Sequence, residues 1–486
     1  MHILIIGAGI GGLSAALALS LAGHTVTVLE SAAALAEIGA GVQMTPNATR
    51  WFWRWGLGPD ILRAAAVPGG FNVRRGRREE IVGKGKGEEG NGDGAGEVLG
   101  RVEFGEFAEK YGAPYVVIHR ADVHRILHEH AVRAGVELRL GCRVVKYGFD
   151  ESWVLLEKRE GRNEEEVVRG DLVVACDGIG SFARSALLGA DPGRGGAAAP
   201  PFDGTAGDEA GEWLEKTRWA AYRTWAPVDK IKADPELRGL VEKHECNCWV
   251  GDGRLVMTYM VKNSEILNMV LSHRDDVDTS SWTLEQYKDE IGKLFDGWDP
   301  RLRRLLDVRD GKVQNWPIYQ VKTLPRWTSE TGRFVLIGDA AHAMAFYLSM
   351  GVSMAVEDAA GLVECLKLLE QRGMQGRSVQ MKDEKGLDFA MKLFESVRKS
   401  RAQLVKDASL HAGNVLQLPP GREREERDRN LRDGGESTPA ESRAQDQEKL
   451  CTEGTAYGIA DHRIRDWCYG YDVVEEVRKE WVKATA

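Results

Sequence analysis

The chain has 486 residues, 29% of them charged, and a formal net charge of −9 at pH 7. That length can bury a sizeable core and suits two domains, while the acidic balance disfavours nucleic acid or an anionic membrane as the main partner. Its seven cysteines, an odd number with no C-x-x-C pair, suit a reducing, cytoplasmic setting.

Residues 3–29 contain no Asp, Glu, Lys or Arg. A stretch of this length can span a bilayer, but no basic n-region precedes it and its internal order is that of a folded unit. Residues 2–6 read as a buried strand, 13–22 as a helix stopped by Gly23, and 25–29 as a second strand closed by Glu30. Between strand and helix, Gly7, Gly9 and Gly12 form G-x-G-x-x-G. In that motif the first glycine permits a tight turn, the second lets a pyrophosphate approach the backbone, and the third lets helix and strand pack closely. The helix N-terminus offers free N–H groups to the phosphates, and Glu30 stands where an acid can bind a ribose. The expected ligand is a dinucleotide, NAD or FAD, and a membrane span is not expected.

Further along, "VRRGRREE" mixes both charges and reads as solvated surface, as does "REREERDRN" near the end. The stretches 83–97, 189–212 and 421–449 are Gly-rich or highly polar and read as surface insertions. Residues 121–135 read as a helix ended by Gly135. Its His124, His128 and His130 resemble a zinc cluster, but residues two apart on a helix face different ways, so no metal is expected. "GDLVVACDGIGS" is a buried strand running into a turn. From about 215 to 320 the character shifts to aromatic-rich strands ("RWAAYRTWAPV", "ECNCWVGDGRLVMTYMV", "EILNMVLSHRD") and two amphipathic helices. Cys246 and Cys248 read as two thiols in or beside a strand, with a metal or redox pair as the alternative. The segment beginning "GRFVLIGDAAH" then supplies a buried strand, a Gly-Asp turn, a loop and a long helix.

Two motifs downstream separate this chain from a plain dehydrogenase. "DGIGSFAR" carries Asp177, Gly178, Ser181 and Arg184; "GDAAH" carries Gly338, Asp339 and His342, followed by Gly351 and "VED". With the N-terminal fingerprint, this ordered set resembles the FAD-dependent aromatic hydroxylases, the group A flavoprotein monooxygenases that include salicylate hydroxylase and fungal enzymes acting on polyketide phenols. The resemblance covers most of 1–410 and resumes in "WCYGYD" at 467–472.

The resemblance implies an α/β fold: a three-layer, Rossmann-like FAD-binding domain with an inserted α+β substrate domain of antiparallel sheet and helices. The expected organisation is 1–188 for the first part of the FAD-binding domain, with a flexible loop at about 83–97, and 189–320 for the substrate domain. Residues 321–410 would form the return segment and long helix, and 411–486 a C-terminal extension, partly disordered over 421–449. It implies non-covalent FAD held by Gly7, Gly9, Gly12, Glu30, Gly41, Gln43, Arg120, Asp177, Asp339, Gly351 and Val352, with NADPH or NADH as transient reductant. In such enzymes oxygen forms a flavin C4a-hydroperoxide that hydroxylates a small aromatic, phenolic substrate. Arg223 and Tyr259 match the positions of an arginine and a tyrosine that act on the phenol in some fungal relatives. His342, within the FAD-holding turn, is expected to be structural. Relatives usually carry Pro and Gln where this chain has Phe346 and Met350, so oxidation or epoxidation of a non-phenolic ring, or FAD binding without catalysis, stand as alternatives.

Overall fold

The computed structural model describes residues 1–35, 41–77, 94–158, 165–189, 212–279, 281–310, 313–374, 384–433 and 460–486. Its first layer is a five-stranded parallel sheet in the order Phe334–Leu336, Leu172–Ala175, His2–Ile6, Thr25–Leu29, Glu137–Arg139. The central strands are apolar on both faces because both faces are covered. Helices Ile10–Leu21, Arg120–Arg133 and Gly351–Met374 pack together. A small antiparallel sheet (Val144–Gly148, Trp153–Leu156, Val167–Arg169) sets Tyr147 and Phe149 against Phe334, with ring centroids 5.5 and 4.8 Å apart. The first helix begins at Ile10, earlier than its apolar pattern suggests, because Gly11 and Gly12 lie inside its first turn.

The second layer is a seven-stranded sheet in the order Gln314–Val321, Leu214–Pro227, Ile266–Arg274, Arg254–Val261, Glu245–Gly251, Gly70–Arg75, Val98–Glu103. All neighbours are antiparallel except Glu245–Gly251 with Gly70–Arg75, which run parallel. Two of the seven strands therefore come from within 1–188, so this sheet does not respect the expected boundary at 189. Strand alternation divides its residues between two cores. Tyr222, Trp249, Val256, Met260, Leu267, Met269 and Leu271 pack with Ile291, Leu302 and Leu305 of helices Leu284–Leu294 and Pro300–Asp307. Trp219, Ala221, Cys246, Cys248, Met257, Tyr259 and Val270 point the other way and share one core with the parallel-sheet layer. Cys246 and Cys248 are free thiols on one buried strand face.

The charged clusters depart from the solvated reading. Residues Arg422–Arg432 form a helix in which Arg427 and Asp428 are buried. Arg427 donates to the carbonyls of Val415 and Leu416 (3.1 and 2.8 Å), at the end of helix Glu384–Leu416, where backbone acceptors lack helical partners. Asp428 pairs at 3.1 Å with Arg75, itself buried, from the first basic cluster. The rest of the expected disordered stretch, 434–449, lies outside the described residues, as do nearly all of 83–97 and 189–212. Among the described residues, no helix is long and apolar enough to cross a membrane, and no cluster of three or more His, Cys, Asp or Glu could hold a metal.

Candidate active site

The glycine turn has the geometry its spacing predicts. Gly7 has φ +99°, and a Cβ there would lie 2.5 Å from the Cys176 carbonyl oxygen. A Cβ on Gly12 would collide with the Gly7 carbonyl, whereas one on Gly9 would meet nothing within 4 Å. Gly9 caps the helix without a side chain, so the first N–H groups of Ile10–Leu21 have no side-chain acceptor at the cap. The peptide at Ala8 is pinned from both sides. Its N–H donates to Glu30 Oε2 at 2.7 Å, and its carbonyl accepts from His124 Nε2 at 2.6 Å. His124 thus serves the turn; only the pairing of the long helix Arg120–Arg133 against the first helix reveals it.

The two later motifs close on the same edge of the parallel sheet. Asp177 accepts from Ser181 Oγ at 2.5 Å and from the Ala183 N–H at 3.0 Å, capping helix Phe182–Leu187. Burial raises its pKa against those bonds. Arg184, almost fully buried, donates to Ala340 O at 3.1 Å and Ile179 O at 2.7 Å, joining "DGIGSFAR" to "GDAAH". Asp339 is exposed at the start of the short helix Asp339–His342, directly after Gly338, whose φ is +60°. Gly351 opens helix Gly351–Met374 with free space where a Cβ would stand, and Val352 is half-buried beside it.

Behind Asp339 lies a buried ionic network. Asp358 accepts from the Gly338 N–H (2.9 Å), His342 Nε2 (2.6 Å) and Arg398 Nε (2.7 Å). Glu357 accepts from Arg398 (2.7 Å), Arg401 (3.1 Å) and Asn47 (2.7 Å). Burial alone would push the Asp358 pKa up, but His342 and Arg398 hold it down to about 2; Arg401 and Arg398 likewise hold Glu357 below the usual range. Arg401 also donates to the carbonyls of Trp467 and Cys468, and Arg50 to those of Tyr469 and Tyr471. The network therefore anchors "WCYGYD" to the helix carrying "VED".

Facing this edge is the inner surface of the seven-stranded sheet. Strand Gly41–Met44 is stitched to it through one residue: Tyr259 donates its hydroxyl proton to Gly41 O at 2.7 Å, and Gly41 N–H donates to Asn268 Oδ1 at 3.4 Å. A Cβ at Gly41 would strike the Tyr259 ring. Gln43 Oε1 accepts from Tyr115 and, at 3.2 Å, from Ser349. Arg223 lies on the same sheet face, 6.0 Å from the Trp316 ring. Its Nε is sealed from solvent and has no partner among the described residues. Burial lowers its pKa, Tyr259 acts the other way, and Arg120, exposed at the head of its helix, repels it. Gly41, Gln43, Arg120, Arg223 and Tyr259 thus come together, but Tyr259 engages its proton with Gly41. Asn268 and Tyr115 had no motif to mark them.

The Phe346–Met350 loop borders this space. Met350 is buried and its sulfur receives Thr45 Oγ1 at 3.5 Å; Phe346 is half-buried against Tyr347, with ring centroids 4.7 Å apart. Ser349 sits at φ +58°, a conformation non-glycine residues seldom adopt.

Residues 1–199 match the family described as FAD binding domain. The chain is 31% identical to the FAD-dependent monooxygenase atnJ of Arthrinium sp, over 87% of this chain and 86% of that one. It is also 31% identical to 3-hydroxybenzoate 6-hydroxylase of Polaromonas naphthalenivorans, over 76% and 80% of the two chains. Its fold matches a solved salicylate hydroxylase substrate complex with a TM-score of 0.65 at 22% identity, over 99% of this chain and 98% of that one.

Proposed function

The chain belongs to the FAD-dependent monooxygenases, and from that premise we propose that it hydroxylates a small phenolic compound, using NADPH or NADH and O2. FAD is its cofactor, and the residues fit it. The open Gly9 peptide and uncapped helix N-terminus suit a pyrophosphate, Glu30 suits the ribose, and exposed Asp339 and open Gly351 suit the rest of the dinucleotide. When bound, FAD supplies the redox chemistry and the activation of oxygen.

The protein's own part is binding, orientation and charge. The observation that carries the phenol reading is Arg223, a half-buried cation on the inner sheet face whose Nε has no acceptor among the described residues. A guanidinium there favours an ionised phenol, the electron-rich form that electrophilic oxygen attacks. Tyr259, with its proton donated to Gly41, keeps oxygen lone pairs free to orient a substrate donor. Tyr115 and Met350 are buried and Trp316 is half-buried. Substrate activity of the same kind in 3-hydroxybenzoate 6-hydroxylase supports the reading. The test is a panel of phenols given to the FAD-loaded protein with NADPH or NADH. Product heavier by one oxygen, with faster cofactor consumption, is expected; cofactor consumption that no phenol stimulates, with no oxygenated product, would refute it.

A further inference from the structure

We propose that His124 is a positioning residue for the cofactor: it locks the peptide between Ala8 and Gly9 so that the Gly9 N–H is offered to the FAD pyrophosphate. His124 lies one turn after Arg120, on the same face of helix Arg120–Arg133, and that helix packs against helix Ile10–Leu21. Its Nε2 stands 2.6 Å from the Ala8 carbonyl oxygen. A carbonyl oxygen can only accept, so Nε2 carries the proton and donates it.

The consequence follows from peptide geometry. A trans peptide is planar, so the Ala8 carbonyl and the Gly9 N–H point in opposite directions across one plane. With the carbonyl held by His124, the N–H is turned away from His124. Gly9 is exposed, a Cβ there would meet nothing within 4 Å, and its N–H has no acceptor among the described residues. It stands beside the first turn of helix Ile10–Leu21, whose N–H groups lack a side-chain cap, and together these donors suit a phosphate.

The lock is needed because the residue is glycine. Gly9 has φ −68°, and turning the peptide over would carry that angle to positive values, which glycine adopts about as readily as negative ones. A flipped peptide would present its carbonyl oxygen to the pyrophosphate, replacing attraction by repulsion. Glu30 does not prevent this, because the Ala8 N–H that it accepts at 2.7 Å belongs to the preceding peptide. The two side chains thus divide the turn: Glu30 holds the peptide between Gly7 and Ala8, and His124 holds the next.

The experiment uses the whole chain freed of flavin, titrated with FAD and with riboflavin, which lacks the pyrophosphate. Dissociation constants are read from flavin fluorescence, so the outcome is independent of the phenol reading. His124→Phe keeps a ring and removes the donor. It should weaken FAD about tenfold, about 1.4 kcal/mol, and leave riboflavin within about twofold. His124→Gln places an amide donor at the same reach and should restore FAD to within about threefold of the wild type. Unchanged FAD affinity in His124→Phe, equal weakening of FAD and riboflavin, or His124→Gln as weak as His124→Phe would each overturn the assignment. His124→Leu, also without a donor, guards against a packing effect of phenylalanine. Failure of both donor-free variants to fold would overturn it too, since His124 would then hold the fold rather than the Gly9 peptide.

Discussion

Replacing Arg398 by methionine removes the cation that spans both carboxylates of "VED". Arg398 is fully buried and sits 2.7 Å from Glu357 and 2.7 Å from Asp358. Methionine fills much of the volume but leaves Asp358 Oδ1 without its charged partner and Glu357 with Arg401 and Asn47 alone. Breaking a buried pair from one side typically costs about 3–5 kcal/mol. For a chain this long the unfolding entropy is on the order of 1 kcal/mol per kelvin, so Tm should fall by roughly 3–5 °C. The pH dependence gives a second, independent readout. Asp358 is held at about 2, below its ordinary 3.8. A lowered carboxylate pKa contributes stability above the unfolded value, and that contribution is lost as pH falls through the folded one. The shift corresponds to about 2–3 kcal/mol in the wild type, lost between about pH 4 and pH 2. The variant should lose less over that window, because its Asp358 pKa starts higher. Gly338, whose N–H rests on Asp358, precedes Asp339, so FAD affinity should fall as well. Thermal unfolding followed by tryptophan and flavin fluorescence between pH 7 and the acid limit provides the assay. An unchanged Tm, or parallel acid profiles for the two proteins, would refute the assignment of this network as a stabilising support for the "GDAAH" turn.

Asp339→Ala should weaken FAD by about one to two decades while the fold persists, since a site built to bind hydroxyls leaves groups unpaired when one partner goes; unchanged FAD titration would remove Asp339 from the site. Arg223→Ala should retain FAD and slow hydroxylation most near neutral pH, with the deficit shrinking as pH approaches the phenol's own pKa near 10; coincident pH–rate profiles would show that Arg223 does not stabilise a phenolate. Tyr469→Phe should raise stability by about 1 kcal/mol, because the hydroxyl it removes is buried without a partner among the described residues; a lower midpoint in urea would count against this. Phe346→Pro with Met350→Gln should change the coupling of NAD(P)H use to product if those residues shape the oxygen-reactive region; identical rates, coupling and products in both proteins would make the departure neutral.

The dinucleotide turn was legible because its constraints are local. Gly7, Gly9 and Gly12 answer to backbone geometry within a few residues, and Glu30 lies one strand away, so short-range spacing encodes the arrangement. "GDAAH" was legible through its resemblance to a family motif. Arg223 was nominated by resemblance, because it stands where some fungal relatives carry an arginine that acts on the phenol. Other features depended on partners far along the chain. Gly70–Arg75 pairs in parallel with Glu245–Gly251, and no short-range pattern announces a parallel pairing between segments so widely separated.

Composition by itself determined that the chain is acidic and large enough for two layers, and motif spacing determined that it has a nucleotide-binding turn followed by two motifs of the same family. Only the tertiary structure decided what the charged residues do. Arg75, Asp428 and Arg427 belong to clusters that resemble solvated surface in one dimension, yet each is buried where another element supplies its partner. The same holds for Glu357, Arg398 and Arg401, and for His124 on the Ala8 carbonyl. A side chain's charge is written in the sequence, but its partner and its degree of desolvation are properties of the packing, and those two quantities decide whether a charge is solvated, structural or aimed at a ligand.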